Sequence, residues 1–366
     1  MTATSVYLAQ AIDGRDTVDI MDTQEMYASL LATIGVTLAS PLDVESYSAD
    51  AFDAIAILQH DLSILRKCDA LLVDLSLVGH EYLGCLFEIG CANAHGIPVV
   101  VCIGNRNLER RVALQGACQF IVREPEQAIE CLLRGISEAG VRQQMKETQA
   151  YYDAIARTYD AASGRDMAPR DLHAAEGEKN ALRETLRKFA LRRVCQIGIG
   201  TGAWTETICE TADVVVGIDA SPSMLMEARR RLAGFGNVQF VLADVLGNDV
   251  QVGTVDCVVC CFLLSLLPQS MQKRLFAAVR RILKPGGVVV VADSKRPANY
   301  PGVGLGRCRI QTRSAGGTEY TVYKEHFGGQ LLRNLLEDNG YEVVHAAENR
   351  VWLTWAVARD RRDNGE

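Results

Sequence analysis

Short apolar runs alternate with stretches of helical periodicity over residues 5–139. Residues 5–9 form a β-rich run, and Asp13-Gly14-Arg15 behind it supplies turn chemistry. The periodicity predicts a helix over 23–34 closed by Gly35, a strand over 36–39 and a helix over 51–67. Residues 70–75 and 97–103 are unbroken apolar runs of the kind buried in parallel sheets. A helical stretch over 84–95 lies between them, and 127–139 predicts a closing helix. Strands taking turns with helices in this way predict an α/β unit, with helices on both faces of a parallel sheet.

A second alternating series follows residue 145. Residues 149–161 and 175–189 predict lead-in helices, and strands are expected over 193–197, 214–218, 238–242, 257–262 and 288–292. Helical patterns fill the intervals at 203–210, 223–233 and 271–283. The tail predicts a helix over 327–339 and strands over 342–347 and 351–357. The halves share a rhythm but no residue pattern, so internal duplication is not expected. The charged, helix-prone stretch 139–148 is the expected boundary, giving domains over 1–142 and 143–366.

The length of 366 residues is consistent with about two to three domains. The 48% hydrophobic and 23% charged fractions are globular averages. A net charge of −7 argues against a general polyanion-binding surface, so nucleic acid is not an expected partner. No apolar run approaches the ~20 residues that a membrane-spanning helix requires, and Met1 to Ser5 carries no basic secretory segment. No membrane partner and a cytoplasmic location are expected. The cysteines sit in apolar segments, and Cys257, Cys260 and Cys261 lack a second ligand pair at zinc spacing. They are expected to be strand core, with no metal.

The second half carries a candidate cofactor site. Val194-Cys195-Gln196-Ile197-Gly198-Ile199-Gly200-Thr201-Gly202 is an apolar strand running into three alternating glycines. Glycines there let a ligand approach the backbone ahead of a helix N-terminus, although a tight turn alone also explains them. A second strand ends at Asp219, nineteen residues after Gly200, where a carboxylate can accept ribose hydroxyls. A third ends at Ala243-Asp244, where Asp244 is placed to accept an adenine amino group.

With Leu283-Lys284-Pro285-Gly286-Gly287 and the closing strand pair, these motifs make residues 151–358 resemble class I S-adenosylmethionine-dependent methyltransferases. A nicotinamide-binding domain is the rival, but it spaces its glycines Gly-x-Gly-x-x-Gly. The resemblance implies a Rossmann-like sheet with an antiparallel last strand. It also implies S-adenosylmethionine as cofactor, bound by Gly198, Gly200, Gly202, Asp219, Asp244 and Gln196. Gln196 departs from the family, which carries an acid there; a glutamine keeps a carbonyl acceptor but no charge. Tyr151, Tyr152 and Tyr159 lie where relatives cover the cofactor. Residues 260–265 should line the acceptor pocket, and their Phe-Leu-Leu-Ser lacks the Asn-Pro-Pro-Tyr signature of nucleic-acid amino methylases, favouring a small-molecule acceptor. His326 and Tyr323 are candidate bases, and a surface histidine before a helix is the competing reading.

In the first half, Glu88 falls in the apolar, small-residue stretch Gly84-Cys85-Leu86-Phe87-Glu88-Ile89-Gly90-Cys91-Ala92. A carboxylate buried there is paired, protonated or catalytic, unless it sits on the helix's exposed edge. Asp61 and Asp69 frame the preceding helix. Together with Val6-Tyr7-Leu8-Ala9, this pattern over residues 6–139 resembles the nucleoside 2-deoxyribosyltransferases and their nucleotide N-glycosidase relatives. The resemblance implies a flavodoxin-like parallel sheet, Glu88 as nucleophile at the anomeric carbon, Tyr7 orienting it and Asp61 assisting the leaving base. It also implies a homodimer through this domain and a nucleoside or nucleotide substrate. Where the transferases carry a sugar-gripping aspartate this chain has Tyr82, which favours hydrolysis over base exchange. Arg15 is a candidate phosphate ligand, opposed by Asp13.

The resulting expectation is a bifunctional enzyme of modified nucleoside or nucleotide metabolism. One domain would cleave an N-glycosidic bond, and the other would methylate a small molecule, with the released base as a candidate acceptor. The alternative is a methyltransferase whose first domain only binds or senses a nucleotide.

Overall fold

The computed structural model describes residues 4–40, 54–162, 169–247, 250, 252–295, 306–349 and 351–362. It divides into two compact units, 1–144 with 301–310, and 145–300 with 311–366.

The first unit runs β1 (Ser5–Ala9), α1 (Thr17–Ala32), β2 (Thr37–Ala39), α2 (Ala54–Leu65), β3 (Ala70–Asp74), α3 (Leu83–Ala94), β4 (Val99–Cys102), α4 (Val112–Ala117), β5 (Phe120–Val122) and α5 (Pro125–Gly135). The strands form one sheet in the order β2-β1-β3-β4-β5, every pair parallel. Because strand side chains alternate between faces, Tyr7, Ala9, Leu71, Val73, Val99 and Val101 share one buried face with Leu65, Cys85, Ile89 and Leu114. α1 and α5 pack together away from that cluster, so β3 and β4 are buried along their whole length. α1 starts six residues before the periodicity suggests because the Asp16 carboxylate accepts from the Val18 amide at 2.9 Å. α4 and β5 are shorter than any window in which periodicity shows, and the sequence reading passes over them. The first residues of the helix expected over 51–67 lie outside the described residues.

α6 (Glu138–Ile155) carries the chain from one unit to the next, so the stretch 139–148 is helix interior rather than a loop. The second unit continues with α7 (Tyr159–Ala162), α8 (Pro169–Phe189), β6 (Arg192–Ile197), α9 (Thr205–Cys209), β7 (Ala212–Asp219), α10 (Pro222–Arg231), β8 (Val238–Leu242), β9 (Val255–Cys261), α11 (Gln269–Ile282) and β10 (Leu283–Ser294). β11 (Cys308–Ala315), β12 (Thr318–Glu325), α12 (Gly329–Asp338), β13 (Tyr341–Glu348) and β14 (Leu353–Asp360) complete it. Seven strands lie in the order β13-β14-β10-β9-β6-β7-β8. The five from β10 to β8 are mutually parallel, and β14 is antiparallel to both neighbours.

β11 and β12, which the sequence reading does not foresee, make a separate two-stranded sheet joined by Gly316-Gly317. Both glycines have positive φ, the geometry a two-residue hairpin turn demands. Residues 306–310 group with the first unit, where the Cys308 amide donates to the Gln119 carbonyl at 2.7 Å. Cys257, Cys260 and Cys261 are buried free thiols inside β9. Among the described residues, no helix is long and apolar enough to cross a membrane.

Candidate functional site

In the first unit, β1 presents Tyr7 from the buried face of the sheet, and α3 brings Glu88 over it. Cys85, Ile89 and Ala92 form the buried side of α3, and Glu88 is half-buried at its margin. The Tyr7 hydroxyl donates to Glu88 Oε1 at 2.7 Å. Burial pushes the Glu88 carboxyl up to about 7, the Tyr7 hydrogen bond pulls it down, and the Asp61 charge from α2 pushes it up. Tyr7 and Glu88 are therefore brought together, and Asp61 lies near enough for its charge to act on Glu88.

Their neighbours have structural tasks. Asp69 accepts from the Ser5 amide at 2.8 Å at the start of β1. Tyr82 caps α3 in the left-handed region, with φ at 58°. Its hydroxyl accepts from the Leu77 amide at 2.7 Å and its ring lies under the Arg106 guanidinium, so it plugs the loop before α3. Arg15 is turned onto its own loop, donating to the Asp19 carbonyl at 2.8 Å, the Ala11 carbonyl at 3.3 Å, Thr23 Oγ1 and Gln10 Oε1. On the opposite sheet face, Tyr27 donates to buried Asp74 at 2.9 Å, a pair with no local sequence signal.

In the second unit the C-terminal ends of adjacent strands converge. After β6, Gly198, Gly200 and Gly202 all have positive φ. A Cβ at Gly202 would stand 3.0 Å from Leu232 and one at Gly198 would stand 3.3 Å from Leu263, whereas at Gly200 it would meet nothing within 4 Å. The loop is thus packed on two sides and open at its middle. Asp219 at the end of β7 ties it, accepting from the Gly200 amide at 2.8 Å and the Ser221 amide at 2.9 Å. Burial raises the Asp219 carboxyl, the two amides lower it and the Asp153 charge raises it. α6 docks on the same edge: Gln149 donates to the Ala220 carbonyl at 2.7 Å, and Asp153 accepts from Ser221 Oγ and the Ser223 amide.

The other expected cofactor ligands are placed differently. Gln196 is buried, and its carbonyl accepts from Thr205 Oγ1 at 2.8 Å, so that acceptor faces α9. Asp244 is exposed and accepts from the Leu246 amide at 2.9 Å. Tyr151, Tyr152 and Tyr159 form an edge-to-face series with centroids 5.2 and 5.9 Å apart. The candidate bases sit inside the unit. Tyr323 donates to Glu325 at 3.3 Å, and His326 is buried rather than at the surface. Of 260–265, Cys260 and Cys261 are strand core and Phe262 stacks between Trp204 and Trp352. Ser265 faces Asp293 and Lys324, neither of which the sequence reading singles out.

The second unit is thus a mostly parallel sheet with a glycine-rich first loop, an acid ending the next strand and an antiparallel β14. The first unit is a parallel sheet whose third helix sets a glutamate against a first-strand tyrosine. Residues 194–287 match the methyltransferase domain family, and residues 6–122 match the nucleoside 2-deoxyribosyltransferase family. The chain is 31% identical over 156 residues to demethylmenaquinone methyltransferase of Tropheryma whipplei (strain Twist), covering 42% of this chain and 62% of that one. It is 25% identical over 167 residues to carboxy-S-adenosyl-L-methionine synthase of Alteromonas mediterranea, covering 45% and 60%. These alignments span less than two thirds of either relative. Among solved structures, the DhpI–SAH complex has 24% identity and a TM-score of 0.49, covering 60% of this chain and 98% of that one.

Proposed function

We propose that the chain is a bifunctional enzyme, with an S-adenosylmethionine-dependent methyltransferase acting on a small molecule in the second unit and an N-glycosidase acting on a nucleoside or nucleotide in the first. The observation that carries the glycosidase half is the Tyr7–Glu88 pair, a half-buried carboxylate held by a buried phenol. Ionised Glu88 would attack the anomeric carbon as the base leaves with the glycosidic electron pair, and water would then release the sugar. Tyr7 orients the attacking carboxylate, and Asp61 assists the departing base.

In the second unit the residues fit an adenosyl cofactor. The open middle of the glycine loop admits it, and each Asp219 oxygen, holding one amide, keeps a lone pair for a ribose hydroxyl. That cofactor supplies an electrophilic methyl group; the protein aligns the acceptor with it and excludes water. A released base that carries an acidic group is the candidate acceptor that would join the two activities.

Supplying a panel of nucleosides and 5′-monophosphates and following free base by chromatography tests the first half. No base released, or release unchanged in Glu88→Gln, rejects it. Calorimetry with S-adenosylmethionine tests the second. A binding-only first unit is the other reading, favoured by Tyr82 and Arg15, whose polar groups are engaged by their own loops. It predicts tight nucleotide binding without turnover.

A further inference from the structure

Lys324 comes from β12 into the edge of the sheet where β9 and β10 end. Its ammonium donates to Ser265 Oγ at 2.5 Å and stands 3.7 Å from Asp293 Oδ1, an ion-pair distance beyond hydrogen-bond reach. Asp293 is wholly buried, and its oxygens are taken by the Ser265 amide at 2.8 Å, the Ser294 amide at 2.7 Å and Ser294 Oγ at 3.3 Å. An ammonium has three donors, and among the described residues only one of them is used. The side chain is 14% exposed, so the remaining donors of this largely buried cation are open to an incoming acceptor.

The place is next to the glycine loop. Phe262, with φ at 60°, turns the chain off β9 and sets Leu263 against Gly198, and Ser265 follows two residues on. The Asp293 and Arg313 charges that act on Lys324 act also on Tyr152 and Tyr159. Neither tyrosine hydroxyl has a hydrogen-bond partner among the described residues. Glu325, next on β12, is occupied by Gln272 at 2.6 Å and by Tyr323.

We propose that Lys324, braced by Ser265 and Asp293, binds an oxyanion of the methyl acceptor, so that the acceptor is an acidic small molecule carrying a carboxylate or phosphate. This rests on the methyltransferase reading of the second unit. Burial holds the ammonium below the ordinary lysine range, against the pull of Asp293 and with the push of Arg313. The cation, and oxyanion affinity with it, is therefore lost at a lower pH than an exposed lysine would allow.

The test is calorimetry on the full chain with benzoate, inorganic phosphate and neutral benzamide, run with and without S-adenosylhomocysteine. Benzoate or phosphate should bind at millimolar concentration, whichever does naming the oxyanion, and benzamide should not. Lys324→Met should weaken that binding about tenfold or more, Lys324→Arg should retain most of it, and affinity should fall as pH rises. Ser265→Ala should weaken it with an unchanged circular dichroism spectrum. Equal binding by wild type and Lys324→Met, preference for benzamide, or no oxyanion binding overturns the proposal. Failure of wild type to bind S-adenosylhomocysteine instead removes the methyltransferase reading, and the titration without it still reports on Lys324.

Discussion

The Tyr7 hydroxyl and the Glu88 carboxylate, 81 positions apart, are joined by a 2.7 Å hydrogen bond between the first strand and the third helix. That bond favours the ionised glutamate, while burial and Asp61 favour the neutral one, and the balance rests at about 7. Only the carboxylate is a nucleophile, so base release should rise with pH to a plateau above about 7. Tyr7→Phe should move the midpoint upward and Asp61→Asn downward, as pH–rate profiles of the residual activity would reveal. Glu88→Gln should abolish release, by on the order of a thousandfold.

The same balance affects stability. An unfolded glutamate ionises near 4.5 and the folded one near 7, so the folded state is penalised as pH climbs between those values and stays penalised above them. Below 4.5 both forms are protonated and the penalty vanishes. Glu88→Gln should therefore raise the melting temperature at about pH 8, by on the order of 2 kcal/mol in stability, and change it little at about pH 4. Calorimetric scans at both pH values measure this difference.

Asp219 both shapes the glycine loop and faces its open middle. Asp219→Ala should weaken S-adenosylmethionine binding on the order of a hundredfold, because it removes the hydroxyl acceptor and frees the Gly200 amide. Titration calorimetry of wild type and variant decides it; an unchanged affinity would mean that the cofactor lies elsewhere.

Glu178 on α8 accepts from three consecutive amides, Val351 at 2.8 Å, Trp352 at 2.9 Å and Leu353 at 3.0 Å, at the start of β14. Glu178→Ala leaves three amides without an acceptor and should cost about 3 kcal/mol. Denaturant unfolding should register this loss.

On α3, Phe87 is 69% exposed and Leu83 63% exposed, an apolar strip on the outer side of the helix that carries Glu88. If the first unit pairs with a second copy through this strip, Phe87→Glu should yield monomers. Light scattering would reveal the shift, and a wild-type monomer would dismiss the pairing.

Much of the architecture was legible locally. The strand over 238–242 lies where its apolar run put it, and the glycine loop with Asp219 stood out because close backbone approach leaves glycine as the residue of choice. Glu88 was conspicuous for a similar reason, as an acid among small apolar neighbours. α4 and β5 were not legible, being too short to display a period, and the β11–β12 pair lay hidden in a polar stretch with little alternation.

By itself, the sequence determined the two α/β rhythms, the turn at the glycine loop and the presence of an acid at 88, since each depends on neighbours a few residues away. The Tyr7 partner of that acid was already implied by the resemblance, whereas tertiary structure alone decided that Arg15 is spent on its own loop, that Gln196 turns to Thr205, and that Lys324 meets Ser265 and Asp293. Those side chains come from strands and helices far apart in the chain. Their meeting is set by sheet order, register and packing, which no short window of residues encodes.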